Sequence, residues 1–132
     1  MKFEYKLEIK EHHLDTFGHV NNATYLALYE EARWDFIQTR DYGLEVILKE
    51  KKGPVILEAN IKFKRELKNR EVITIETDGQ WIKGKIMGLS QRMINAEGKI
   101  CSEVELTIGF MSFEERKLVT PTGDWLKACG LE

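Results

Sequence analysis

Polar and apolar residues alternate almost strictly at the start of the chain, with Phe3, Tyr5, Leu7 and Ile9 on one side and charged residues on the other. A period of two marks a strand with one buried and one wet face. The alternation breaks over residues 12–22 and gives way to helical spacing. Tyr25, Leu28 or Tyr29, Ala32 and Phe36 then fall on one stripe, which predicts a helix over 23–38. Asn21 or Asn22 is suited to cap it, Gly43 follows as a stop, and residues 44–49 offer a short extra helical turn. The first half of the helix, ATYLALY, carries no charge on any side, whereas EEARWDF does. A helix apolar all round is an enclosed one, so the N-terminal half is expected to be buried and the C-terminal half to reach solvent.

After Gly53-Pro54 the period of two returns. Val55, Leu57, Ala59, Ile61 and Phe63 are expected on one face, opposite Glu58, Asn60, Lys62 and Lys64. Further strands are expected over 72–82, 85–94 and 100–113. Asn95-Ala96-Glu97-Gly98 supplies one hairpin turn. Asp78-Gly79 and Lys83-Gly84 both suit the other; Lys83-Gly84 leaves strands of similar length and makes Gly79 a bulge candidate. Residues 121–128 form a terminal helix or tail. No linker, repeat or low-complexity run divides the chain, so residues 1–132 read as one α+β domain, one long helix against five antiparallel strands. The charged strand faces fit an outer surface in water.

Charge and composition remove several function classes. A net charge of −2, with no Lys/Arg-rich block, gives no footprint for nucleic acid. No apolar run is long enough to span a bilayer and no signal-peptide core is seen at the start, so a cytoplasmic protein is expected. Cys101 and Cys129 form no CxxC pair, and the three histidines lack ligand spacing, so neither a metal nor another bound cofactor is expected. Loops of the GxSxG, GxxxxGK and GxGxxG types are absent.

What remains is the break itself: Asp15-x-x-Gly18-His19-Val20-Asn21-Asn22-x-x-Tyr25-x-x-x-Tyr29-Glu30-x-Ala32-Arg33. This segment, in its strand–turn–helix setting, closely resembles the signature of hotdog-fold acyl-CoA thioesterases, in the group of 4-hydroxybenzoyl-CoA and YbgC-type enzymes. The resemblance runs along the whole chain. It implies the hotdog fold, one long central helix wrapped by a five-stranded antiparallel sheet, and hydrolysis of a thioester carried by CoA or acyl-carrier protein. By that pattern Asp15 is the general base or nucleophile, and the backbone N–H of Asn22 polarises the carbonyl. The chemistry is consistent: a helix N-terminus offers free N–H groups and partial positive charge where an oxyanion develops.

Substrate-binding candidates are Gly18, whose lack of Cβ allows a tight turn beside a ligand, His19, which shapes that turn, Tyr25, and Arg92. Tyr25 and Tyr29 have the spacing of core aromatics as well as that of an acyl-pocket wall. Glu30 has an alternative as a helix-surface partner of Arg33. Lys62, Lys64, Arg65 and Lys68 are further cations for CoA phosphates. The resemblance also implies a homodimer joined edge to edge, with sites at the subunit interface, or a tetramer. The chain departs from the family at His13, where many relatives carry a second Asp. It departs from the YbgC-type subgroup at Glu11, where a Tyr is usual, and at Asn22, where a His is usual. These departures keep a second reading open, an acyl-CoA or acyl-carrier-protein binding module without turnover.

Overall fold

The computed structural model describes residues 2–131. Strand β1 (Lys2–Glu8) leads through a 3-10 turn (Glu11–His13) and a tight loop into helix α1 (Asn22–Thr39) and short helix α2 (Leu44–Glu50). Four long strands follow: β2 (Lys52–Phe63), β3 (Val72–Lys83), β4 (Ile86–Ile94) and β5 (Ile100–Ser112). A two-residue strand β6 (Lys117–Leu118) and helix α3 (Gly123–Ala128) end the fold. All pairings are antiparallel in the order β1-β3-β4-β5-β2, with β6 also on β5.

The alternation read from the sequence fixes which side chains meet the helix. Ile73 and Ile75 of β3, Met87, Leu89 and Met93 of β4, and Val104, Leu106, Ile108 and Phe110 of β5 are buried. They form one core with Tyr25, Leu28, Tyr29, Ala32 and Phe36 of α1. Each of the larger aliphatic and Phe side chains contributes about 1.5–3 kcal/mol, so this sheet–helix layer is the main source of stability. At one end Trp125 of α3 closes the layer against Tyr42 and Phe110, with ring centroids 5.3 and 5.7 Å apart. The sharp turn between β3 and β4 falls where Lys83 pairs Ile86, and a bulge lies between Gly79 and Trp81, both as expected.

Three expectations need correction. The sheet has a sixth, very short strand, because the chain turns back after Ser112 and Val119 N–H bonds the Phe110 carbonyl at 2.8 Å. In β2, Val55 and Leu57 do not share a face with Ala59, Ile61 and Phe63. A register shift between Ile56 and Glu58 inserts Leu57 as an extra residue, so Ile56 pairs the buried Ile108 while Ala59 pairs the buried Leu106. An extra residue reverses the phase of every side chain beyond it. Lastly, the uncharged first turns of α1 are not enclosed within the single chain. Ala23, Leu26 and Ala27 are exposed, Leu26 by 42%.

Candidate active site

The loop before α1 is a small closed hairpin. Leu14 and Val20 form an antiparallel bridge, Asp15 N–H bonds the His19 carbonyl at 2.7 Å, and Asn21 N–H bonds the His13 carbonyl at 3.1 Å. The Asp15 side chain holds the turn from within: its Oδ1 accepts Phe17 N–H at 2.9 Å and His19 N–H at 3.1 Å. Neither bond uses Oδ2, and Asp15 is only half-buried. Gly18 completes the turn with φ of +79°, a backbone conformation that a residue with a Cβ rarely adopts. A Cβ there would meet nothing within 4 Å in this chain, so the demand for glycine from the chain itself is conformational.

The hairpin delivers the chain to the start of α1. Asn21 is the cap, its Oδ1 accepting Ala23 N–H at 2.9 Å, while its carbonyl takes Thr24 N–H at 2.9 Å. The N–H of Asn22, first in the helix, has no acceptor among the described residues. A donor on the positive end of an 18-residue helix is thus left free within the segment that carries Asp15.

The remaining sequence-selected residues fall in different places. His19 is exposed, with Nε2 3.5 Å from a Glu66 carboxylate oxygen. Tyr25 is buried one turn into α1 and meets Phe63 edge to face at 4.9 Å; burial pushes its phenol above the usual range. Lys64 pairs with Glu103 at 3.2 Å. Arg92 lies apart from this group. It follows the fully buried Gln91 on β4, so alternation turns it to the face away from the helix, where it pairs with Glu76. Among the described residues no group of three or more His, Cys, Asp or Glu is placed to hold a metal ion.

The profile of the thioesterase-like superfamily matches residues 9–128. The chain belongs to that superfamily. It is 28% identical over 120 residues to the long-chain acyl-CoA thioesterase FadM of Escherichia coli K12, covering 90% of each chain. It is 22% identical over 106 residues to the acyl-CoA thioester hydrolase YbgC of E. coli O6:H1, covering 80% of this chain and 79% of that one. Its fold superposes with a TM-score of 0.93 on a crystal structure described as a putative oleoyl thioesterase from Lactobacillus plantarum, at 17% identity over 98% of this chain; the chain spans 51% of that larger one. The curled antiparallel sheet around one helix is the hotdog fold.

In this thioesterase-like chain, one further set of residues was not singled out from the sequence. Gln91 is fully buried beneath α1, its Nε2 donating to the Tyr29 carbonyl and to Thr77 Oγ1, both at 3.0 Å. Its Oε1 accepts Arg33 Nη1 at 2.9 Å. The signal was present as a polar residue in the core phase of Met87, Leu89 and Met93. Its partners Arg33 and Tyr29, 58 and 62 residues away, and Thr77, 14 residues away on the neighbouring strand, were not readable. Arg33 borders an apolar cleft of about 530 Å³, open mouth included, between α1 and the inner face of β2, β4 and β5.

Proposed function

We propose that this protein hydrolyses acyl-CoA thioesters to a free acid and CoA. The observation that carries the reading is the hairpin at the start of α1. It pins one oxygen of Asp15 with two backbone N–H groups and leaves the first helical N–H of Asn22 without an acceptor among the described residues. In this reading the thioester carbonyl takes the Asn22 N–H, which stabilises the oxyanion as it forms. The free carboxylate oxygen of Asp15 acts as general base for water or as direct nucleophile. Superfamily membership and the activities of FadM and YbgC support the reaction class. The site of action in this reading is the cytoplasm.

The catalytic unit in this reading is a homodimer joined through β2. That strand is a sheet edge, and an unpaired edge invites another strand. Beside it are exposed Ile56, Leu57 and Phe63, and on α1 exposed Leu26 and Trp34. Helix and strand run in opposite directions: Tyr25 meets Phe63, whereas Ile37 shares the cleft with Pro54. A two-fold axis across β2 would therefore bring the partner's helix start and Asp15 loop beside the cleft of the first chain.

A thiol-release screen over short, long and aryl acyl-CoA substrates tests the activity, with Asp15→Asn as control. Release that the variant loses is the expected result; no release from any substrate, or recovery of intact bound acyl-CoA, overturns it. Sedimentation measures the assembly, with a dimer expected and Ile56→Arg shifting it to monomer.

A further inference from the structure

The cleft beside Arg33 has two unlike components. Its walls are apolar, formed mainly by Phe36, Ile37, Ile56, Leu89, Ile108 and Trp125. At its border stands a guanidinium with five N–H donors, of which one is recorded in a bond, to Gln91. Among the described residues no carboxylate lies within 4.0 Å of Arg33. Glu30, one turn back on α1 and also at the cleft, is the nearest acidic influence. Burial pushes the guanidinium below its ordinary range, and Glu30 only opposes that effect.

A cation drawn from water without an anion is held at a cost, which a structural role does not require. The position is nevertheless imposed from beneath. Both Gln91 Nε2 bonds are fixed by Tyr29 and Thr77, so its Oε1 is turned to Arg33 and no rearrangement within the core is needed. A cation held beside an apolar slot has the chemistry to recognise an anion with an apolar body. A planar guanidinium suits a carboxylate, which it takes through two parallel hydrogen bonds. The cavity itself is about 100 Å³, below the usual size for a whole ligand, so it takes part of an acyl chain while the rest lies along the open mouth.

We propose that the cleft is a carboxylate-binding site in which Arg33 takes the carboxylate of an aliphatic acid and the apolar walls take its chain. The proposal rests on the thioesterase reading for its biological meaning, since that reading delivers acyl chains to this cleft. The carboxylate has two sources there: the released acid product, or the far end of a dicarboxylic acyl group.

Octanoate and 1-octanol share a chain and differ in the head group, and Trp34 and Trp125 both border the cleft as fluorescent reporters. Calorimetry and tryptophan fluorescence on the full chain at neutral pH should show octanoate binding about tenfold more tightly than octanol, the discrimination of one charge-assisted pair. Arg33→Gln should bring the two affinities together, and Arg33→Lys should keep part of the preference. Equal affinities in the unsubstituted protein, or no octanoate binding, overturn the site, and that comparison stands even if a variant fails to fold. Hydrolysis of octanedioyl-CoA against octanoyl-CoA then separates the sources. Faster turnover of the dicarboxylic substrate assigns the carboxylate to the far end of the acyl chain, and equal turnover assigns it to the product. Thiol release without octanoate binding removes this proposal alone, whereas octanoate binding without any thiol release removes the thioesterase reading.

Discussion

Replacing Asp15 by Asn keeps what the loop needs and removes what the chemistry needs. The loop uses one carboxylate oxygen, which accepts Phe17 N–H at 2.9 Å and His19 N–H at 3.1 Å. An amide oxygen accepts both, so the loss is only the extra strength of a charged acceptor, below about 1 kcal/mol in a half-exposed loop. Asp15→Ala removes the acceptor altogether. Two backbone donors then turn to water, at a cost near that of losing a helix cap, about 1–2 kcal/mol. Both variants should nonetheless lose turnover alike, by about 10²–10⁴-fold, if the carboxylate moves the proton or attacks the carbonyl. Urea unfolding and thiol release measured on the same preparations separate the two effects. An Asp15→Asn protein as active as the unsubstituted one refutes the chemical role, and one as unstable as Asp15→Ala refutes the anchoring.

Gln91→Met removes three hydrogen bonds at a fully buried position and returns a similar volume of apolar side chain. With about 1 kcal/mol per bond and a partial offset from the apolar replacement, the expected loss is about 2 kcal/mol, or about 5–10 °C in Tm by thermal unfolding. Tyr5 donates to Glu31, which, with partial burial, pushes its phenol up to about 12. Because the folded value is raised, the stabilisation is complete below the unfolded value near 10 and is lost as pH climbs toward 12. Unfolding midpoints measured across that window should fall, and fall less in Tyr5→Phe. Cys101 and Cys129 are buried, and burial pushes the Cys129 thiol up to about 12. A disulfide reagent at neutral pH should therefore find no reactive thiol in the native protein and two per chain in denaturant.

Much of this fold was legible because each element declares itself locally. The alternation of Phe3, Tyr5 and Leu7, the stripe through Tyr25, Ala32 and Phe36, and the glycine bulge at Gly79 all rest on near neighbours in the chain. A cap at Asn21 or Asn22 and a tight turn at Gly18 were readable for the same reason, and the structure settles the cap on Asn21. The phase change in β2 was not, because Val55-Ile56-Leu57 is apolar throughout and no alternation marks which residue is extra. The exposure of Ala23, Leu26 and Ala27 was also hidden, since an uncharged helix face reads the same whether its cover comes from its own chain or from another. The pairing of Arg92 with Glu76, on the face of β4 away from α1, joins two strands and has no local mark either. The bonds of Gln91 join α1, β3 and β4, and no local pattern records such meetings.

The amide of Gln91 has a direction as well as a position. With its nitrogen committed to Tyr29 and Thr77, a reversal would set hydrogens against the guanidinium of Arg33. An aliphatic residue at 91 leaves the cation at 33 and the hydroxyl at 77 without this shared partner. Anyone redesigning this interior for a different acyl group has to rewrite all three together or leave all three alone.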